Sequence, residues 1–294
     1  MRPDDWYLTE DIDEFLARAG DFLRSRPALH TTTLTTAEKL RTRGADASGA
    51  EATLFGRLES GGEVRAVFHR PPSRRLTLTP LSPGQADTLA ARLSGLGHTP
   101  SGVTADHDSA TAFAEAWQRH TGAAPVAHWW GRLHRLGTLT PPGPLPEGRG
   151  RVVGEQDHEQ LVRWCGEFLA DVGEALSLDA GSWAASRFAD KHFTVWETPD
   201  GTPVSMAGST SLIGGMIRVD PVYTPAHLRG RGYAGAVTVE VSRAALSAGA
   251  TDVVLFTNPA NPTSNALYQR IGYVRVADFT GYAFTYDHDA PVAG

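Results

Sequence analysis

Cysteine, excess charge and long apolar runs are all scarce in this sequence. Of its 294 residues only Cys165 is a cysteine, so no disulfide can form within the chain and a reducing, cytoplasmic setting is predicted. The 27 basic and 33 acidic side chains give a net charge of -6, without the basic footprint that binds nucleic acid or anionic lipid. Nucleic acid is therefore not an expected partner.

Membrane and metal signals are missing as well. No apolar run approaches the ~20 residues that a membrane-spanning helix needs. The opening MRPDDWYLTEDIDEF is acidic and polar, whereas a secretory signal starts with basic and then apolar residues. His128 and His134 share a predicted strand face, but no cysteine or carboxylate completes the spacing of a metal site. We therefore expect neither a membrane partner nor a metal.

A stretch rich in proline and glycine divides the sequence into two patterned halves. Leu139–Gly150 reads LTPPGPLPEGRG, and such residues interrupt helices and strands. At about 150 residues per domain, the length also suits two domains. We predict a companion domain over residues 1–139, a linker over 140–150 and a second domain over 151–294.

Both halves show the same order of predicted elements, namely helix, helix, three strands, helix, strand, helix, strand. The repetition indicates a structural duplicate, with the first half degenerate. In the second half the pattern predicts a helix over Ser182–Lys191 and a final pair of strands over Tyr273–Val276 and Tyr282–Tyr286. It also places three consecutive strands at Phe193–Glu197, Pro203–Ser211 and Met216–Tyr223.

A glycine-rich loop precedes an apolar helix in the second half. Gly230–Gly235 reads GRGYAG, the G-x-G-x-x-G spacing of phosphate-binding turns. A dinucleotide-binding Rossmann unit would also need a carboxylate for the ribose at the end of the next strand. That strand ends in Leu255-Phe256-Thr257-Asn258. A nicotinamide-dependent oxidoreductase is therefore a minor alternative.

A diphosphate site of another kind accounts for more of this loop. Main-chain amides of a glycine-rich turn and of the first helical turn attract a diphosphate, and Arg229 and Arg231 would add positive charge. The run Arg229, Gly230-Arg231, Gly232, Tyr233 and Ala234 resembles the signature of the GNAT superfamily of N-acetyltransferases. The later segment NPTSNALYQRIGY is similar to a second motif of that family, through Asn261, Ser264, Leu267, Tyr268, Gly272 and Tyr273.

The resemblance covers roughly Arg151–Tyr286 and implies both a fold and an activity. The expected fold class is α/β (α+β), a mixed, mostly antiparallel central sheet flanked by helices, preceded by a second, degenerate GNAT-like domain. The implied reaction transfers an acetyl group from acetyl-CoA, as co-substrate, to a primary amine of a small molecule or peptide. The amine attacks the thioester directly in a ternary complex.

The resemblance also implies roles for individual residues. Main chain beside Val222, Tyr223 and Thr224 would pair with the pantetheine arm of coenzyme A, in a gap between two splaying parallel strands. The diphosphate would bind at Arg229, Gly230, Arg231, Gly232, Tyr233 and Ala234, while Asn261 and Ser264 would contact the pantetheine arm. Asn261 also suits a helix cap. Tyr268 would be the acid that protonates the departing thiolate.

Three questions stay open at this point. The base that accepts the proton of the amine could be Asp220, Glu167, Asp171, Glu174 or a chain of water molecules. The first half lacks the Arg-x-x-Gly-x-Gly pattern, so it is expected to be non-catalytic, shaping the acceptor pocket or forming a homodimer. A coenzyme A-sensing protein without catalysis is the second alternative, and Tyr268 argues against it.

Overall fold

The computed structural model describes residues 5–43, 52–72, 75–172 and 191–286. By their contacts the residues form two units, residues 1–133 with 276–294 and residues 134–275. The predicted division at residues 139 and 150 concerns order along the sequence and stays a prediction. Residues 182–190 of the predicted helix Ser182–Lys191 lie outside the described ranges, and Lys191 begins a strand.

The first unit consists of a β-sheet with helices on both faces. Strands β1 to β5 are neighbours in numerical order; β1 to β4 pair antiparallel, and β4 with β5 parallel. Residues 279–283 of β12 pair antiparallel with β5. The elements are β1 (Asp5–Thr9), α1 (Ile12–Ser25), α2 (Thr31–Arg43), β2 (Leu54–Ser60), β3 (Glu63–Arg70), β4 (Leu76–Leu78), α3 (Pro83–Gly95), β5 (Gly102–Asp106), α4 (His107–Thr121), β6 (Ala124–Leu136) up to residue 133, and β12 (Tyr273–Thr285) from residue 276.

Local sequence explains where the helices of this unit begin and end. The Asp11 side chain accepts the amides of Asp13 and Glu14 and so caps α1. Asp106 caps α4, which ends at Gly122 with φ +77°. The core beneath α3 and α4 includes Trp117, Phe113, Leu89 and, from β12, Phe284. The C-terminal strand is therefore part of the core of the first unit.

The second unit has a sheet in the order β11-β10-β9-β8-β7, with the last residues of β6 beside β11. One cluster of buried apolar residues joins this sheet to α6 and α7. A second cluster joins it to α5 and includes the buried Cys165. The helices therefore lie on both faces of this sheet. The elements are β7 (Arg149–Val152), α5 (His158–Val172), β8 (Lys191–Glu197), β9 (Pro203–Thr210), β10 (Met216–Tyr223), α6 (Tyr233–Ser247), β11 (Asp252–Thr257) and α7 (Pro262–Ile271).

The predicted fold class is confirmed: in each unit the sheet is mixed and mostly antiparallel, and helices flank it. β10 pairs antiparallel with β9 just before the glycine loop, which a doubly wound dinucleotide fold would not do. Within the described ranges, no helix has both the length and the hydropathy for crossing a membrane.

The predicted pair of C-terminal strands is wrong, because Tyr273–Thr285 forms one continuous strand. Gly281 suggested a turn, but it pairs with Thr104 in unbroken register. A Cβ at Gly281 would lie 2.9 Å from the His128 ring, so glycine permits a close approach here. Strand β1 was not predicted, since Asp5–Thr9 is short and begins with a charged residue.

Candidate functional site

β10 and β11 run parallel but are paired only at their beginnings. The pairs join Met216 with Asp252, Ile217 with Val253, and Arg218 with Val254. β10 continues to Tyr223 and β11 to Thr257, and these later residues do not pair with each other among the described residues. On its other edge β10 stays paired with β9 through Tyr223, across a bulge after Val219. The edge of β10 toward β11 is therefore open from Val219 onwards.

Side-chain contacts hold the end of β10 in place. The Ser205 hydroxyl on β9 donates to the Tyr223 carbonyl at 3.0 Å and lies 2.8 Å from the Thr224 hydroxyl. The Tyr223 hydroxyl donates to the Glu167 carboxylate on α5 at 2.7 Å. Burial and then this bond raise the pKa of Tyr223 to about 12, so its phenol stays protonated. These contacts give Val222, Tyr223 and Thr224 one defined backbone course.

The loop that follows β10 makes its turns at glycines. A 3₁₀ turn covers Ala226–Leu228, and Arg229 is extended, with φ −67° and ψ 161°. Gly230 has φ +77° and Gly232 has φ +84°, in the left-handed region where a Cβ causes strain. Gly232 is also the N-cap of α6, and no side chain caps this helix end. Glycine at these positions lets the chain turn directly into α6.

Six consecutive main-chain N–H groups, from Gly230 to Gly235, have no hydrogen-bond acceptor among the described residues. The amide before them, on Arg229, closes the 3₁₀ turn. The amide after them, on Ala236, donates to the Gly232 carbonyl at 3.0 Å and starts the helical hydrogen bonds. Free amides at a helix N-terminus, together with the helix dipole, attract an anion such as a diphosphate.

The two arginines of this loop have different surroundings. Arg229 donates from Nε to the Thr224 carbonyl at 3.0 Å and forms an ion pair with Asp171 of α5. Its guanidinium carbon also lies 5.9 Å from the centroid of the Tyr223 ring. Arg231 is exposed and donates only to a carbonyl of the 3₁₀ turn, at 3.4 Å, with no acidic partner in the described part of the chain. Of these two charges, that of Arg229 is therefore already paired.

Tyr233, Ala234 and Gly235 belong to the first turn of α6. Tyr233 packs on the core of the second unit, and the Ala234 carbonyl accepts the Thr238 hydroxyl at 2.7 Å. A Cβ on Gly235 would lie 3.2 Å from the Leu267 side chain of α7. Gly235 therefore permits close packing of α6 against α7. The third glycine of the G-x-G-x-x-G pattern thus lies in the helix and not in the turn.

The start of α7 is built as predicted. The Asn261 side-chain oxygen accepts the Ser264 amide at 3.0 Å, Pro262 follows at the first helical position, and Gly272 ends the helix with φ +107°. Asn261 is thus a helix cap. The predicted contact of Asn261 and Ser264 with a pantetheine arm stays a prediction.

Tyr268 is buried on α7, with 7% of its surface exposed. Burial is the largest influence on its phenol and raises the pKa of Tyr268 to about 12; the Ser264 and Thr238 hydroxyls hydrogen-bond to it, and the Asp220 charge acts in the same direction as burial. Tyr268 packs in the same apolar cluster as Val219 and Val222 of β10. At neutral pH Tyr268 is therefore a hydrogen-bond donor near the open edge of that strand.

Three of the four carboxylates predicted as bases lie in the described ranges, and Glu174 lies outside them. Their contacts differ: Asp220 pairs with Lys191, Asp171 pairs with Arg229, and Glu167 accepts the Tyr223 hydroxyl. Glu167 is thus the one of the three without a cationic partner in the described part of the chain.

A buried polar network at the end of β11 was not predicted as part of the site. The Asn265 amide oxygen accepts the Thr257 hydroxyl at 2.7 Å and lies 3.2 Å from His134 Nε2. Its nitrogen donates to the Asn258 and Asn261 carbonyls at 2.9 and 2.7 Å. Asn265 therefore fastens α7 to β11 close to Tyr268. The sequence signal was an asparagine in the interior of a helix, where such a residue needs bonding partners.

The equivalent turn of the first unit, between β4 and α3, is built differently. Pro80 and Pro83 have no N–H groups to offer. The amides of Ser82 and Gln85 are satisfied by a capping box, at 2.9 and 3.3 Å. Of the amides at this helix start, only that of Gly84 therefore has no acceptor among the described residues, in contrast to the row of six in the glycine loop.

Comparisons with known proteins found one family model that matches part of the chain and several solved structures with a similar fold. Residues 209–280, which include the glycine loop and α7, match the family model described as FR47-like protein. No match to the chain was found among curated proteins. A GCN5-related N-acetyltransferase from Kribbella flavida is similar in structure, at 18% identity and a TM-score of 0.52 over 87% of this chain and 97% of that one.

Two further solved structures cover nearly the whole chain. A GCN5-related N-acetyltransferase from Sphaerobacter thermophilus is 19% identical, with a TM-score of 0.56 over 96% of each chain. A tandem GNAT protein from the clavulanic acid biosynthesis pathway is 14% identical, with a TM-score of 0.56 over 95% of this chain and 98% of that one. At such identities these likenesses show a shared fold. The family-model match over residues 209–280 and the shared fold agree with the predicted resemblance to the GNAT superfamily.

Proposed function

We propose that this chain is an N-acetyltransferase that transfers an acetyl group from acetyl-CoA to a primary amine of a small molecule or peptide. The observation that carries the proposal is the row of six unbonded amides, Gly230 to Gly235, directly after a strand with an open edge. An open strand edge suits an amide-containing arm such as pantetheine, and free helix-terminal amides suit a diphosphate. Coenzyme A contains both groups in series.

Within this proposal, different residues bind different parts of coenzyme A. Main chain at Val222, Tyr223 and Thr224 pairs with the pantetheine arm, and the amides from Gly230 to Ala234 bind the diphosphate. Arg231 adds an exposed positive charge beside these amides. Asn261 and Ser264, at the start of α7, are the proposed further contacts of the arm.

The transfer itself forms a C–N bond to the amine and breaks the C–S bond of the thioester. Holding the two reactants in line is the main contribution, since well-oriented reactions gain up to about 7–11 kcal/mol. A lysine-like amine has a pKa of about 10.4 and must lose a proton before or during attack. Glu167, which has no cationic partner in the described ranges, is a candidate base, and a chain of water molecules is the other.

Tyr268 is proposed to assist departure of the thiolate. Its pKa of about 12 keeps the phenol protonated throughout the pH range of interest. A thiol has a reference pKa of about 8.5, so complete proton transfer from this phenol is unfavourable. We therefore expect Tyr268 to act mainly by donating a hydrogen bond to the sulfur as negative charge develops there.

The test of the proposed function is release of free thiol from acetyl-CoA in the presence of a panel of amines, including small molecules, antibiotics and peptides. Thermal-shift measurements accompany it, because a ligand at 100 times its Kd stabilises by about 2.7 kcal/mol. Stabilisation by acetyl-CoA together with amine-dependent thiol release is expected. Stabilisation without thiol release for any acceptor would favour a coenzyme sensor, and stabilisation by NAD alone would contradict the proposal.

We also propose that the first unit does not bind coenzyme A. At its helix start the capping box bonds the amides of Ser82 and Gln85, so the described residues offer one free amide there, that of Gly84, in place of the row of six in the glycine loop. The expected stoichiometry is one coenzyme A per full-length chain, measured by titration calorimetry. Two sites per chain would contradict this. The full chain is required because β12 contributes residues 279–283 to the sheet of the first unit.

A further inference from the structure

One face of α5 contacts both ends of the turn that leads into the glycine loop. Glu167 and Asp171 are four residues apart and so lie on the same face of this helix. Glu167 accepts the hydroxyl of Tyr223, the last residue of β10. Asp171 pairs with Arg229, the residue that directly precedes Gly230. We refer to these four residues, Glu167, Asp171, Tyr223 and Arg229, as the α5 latch.

The guanidinium of Arg229 is held from three directions. Its Nε donates to the Thr224 carbonyl at 3.0 Å, its NH2 group meets the Asp171 carboxylate, and its plane lies near the Tyr223 ring. To neutralise a diphosphate directly, the Arg229 guanidinium would have to break its ion pair with the Asp171 carboxylate. Arg231, two residues later, faces no such competition among the described residues.

Electrostatics decides how strong the latch can be. The Arg229 and Asp171 side chains are 49% and 46% exposed, and an ion pair at this exposure contributes little to the stability of the fold. The bond to the Thr224 carbonyl and the contact with the Tyr223 ring act on the same guanidinium, so the three contacts restrict its position together. The consequence is a fixed backbone from Tyr223 to Gly230 rather than a large gain in overall stability.

We propose that Asp171 is a positioning residue: through Arg229 it holds the glycine loop in the conformation that binds the coenzyme diphosphate, and Arg231 supplies the side-chain charge to that diphosphate. This inference rests on the proposed function of the loop. It assigns Arg229 to the support of the loop rather than to the ligand. It predicts that binding depends on the Asp171–Arg229 pair and not on either charge alone.

The experiment is a double-mutant cycle, with coenzyme A binding to the full-length chain measured by titration calorimetry. The variants are Asp171→Ala, Arg229→Gln and the two combined. Glu159→Gln is the matched control, because Glu159 is an exposed carboxylate of the same helix with no ion pair among the described residues. This variant measures how the loss of one negative charge on α5 by itself changes coenzyme A binding. Thermal unfolding of each variant checks that the chain is folded.

The expected result is about fivefold weaker binding for Asp171→Ala in the otherwise unchanged chain, and little effect of the same change when residue 229 is already Gln. Tighter binding for Asp171→Ala, as expected if the freed Arg229 turned to the diphosphate, would overturn the inference. Equal weakening in both backgrounds would overturn it too. Failure of the unmodified chain to bind coenzyme A would instead refute the proposed function, and the latch with it.

Discussion

Gly232→Ala is the substitution whose effect can be worked out most directly. Gly232 has φ +84°, and an alanine in the left-handed region costs about 1–2 kcal/mol. Space is not the obstacle, since the nearest atom to an added Cβ is Pro146 Cδ at 3.6 Å. The strain can be relieved only by rotating the backbone at the N-cap of α6, which turns the neighbouring amides away from their common direction.

Gly201→Ala supplies the matched control. Gly201 has φ +85°, an added Cβ there would meet nothing within 4 Å, and the residue lies between β8 and β9, away from the loop. We expect both substitutions to lower the free energy of unfolding by about 1 kcal/mol in chemical denaturation. Only Gly232→Ala should also weaken coenzyme A binding, by about tenfold or more, in titration calorimetry. Unchanged binding for Gly232→Ala, or equal weakening for both variants, would refute the assignment of the loop amides to the diphosphate.

Three further predictions concern Tyr268 and Arg231. Tyr268→Phe should lower kcat by about 10- to 100-fold and leave the Kd of coenzyme A unchanged, because the phenol acts on the departing sulfur; unchanged kcat would refute its role. Because the folded-state pKa of Tyr268, about 12, exceeds the unfolded value of about 10, its contribution to stability is complete below pH 10 and is lost as the pH rises toward 12. This loss is on the order of 3 kcal/mol and should be absent from Tyr268→Phe when unfolding is followed between pH 8 and 12; an identical decline in both proteins would contradict it. Arg231→Gln should weaken coenzyme A binding at low salt and reduce its salt dependence, because an exposed charge is screened; an unchanged salt dependence would exclude a contact with the diphosphate.

Much of the fold could be predicted because its signals are local. Asn261 followed by proline, and Gly272 ten residues later, predict both ends of α7, and the structure confirms them. Periodicity likewise places the three strands before the glycine loop. The continuous strand β12 could not be predicted, because glycine is typical of turns. Gly281 is needed in this strand for its close approach to His128, which is distant in sequence.

The same distinction applies to the candidate site. Gly230 and Gly232 set the course of the backbone through their positive φ angles, so their spacing in the sequence is informative. The contacts of Arg229 are made by its long side chain, and its partners Asp171 and Thr224 lie on other elements. A sequence shows that an arginine is present but not whether a carboxylate already holds it.

By itself the sequence determined the order of most elements, the two motifs and the position of the glycine loop, because glycines, prolines and caps act on neighbouring residues. Only the tertiary structure decided which polar groups remain available to a ligand. Among the described residues the amides from Gly230 to Gly235 find no acceptor, whereas those of Ser82 and Gln85 in the first unit are bonded. Availability is settled by packing and hydrogen bonding between groups, and many of those groups lie far apart along the chain.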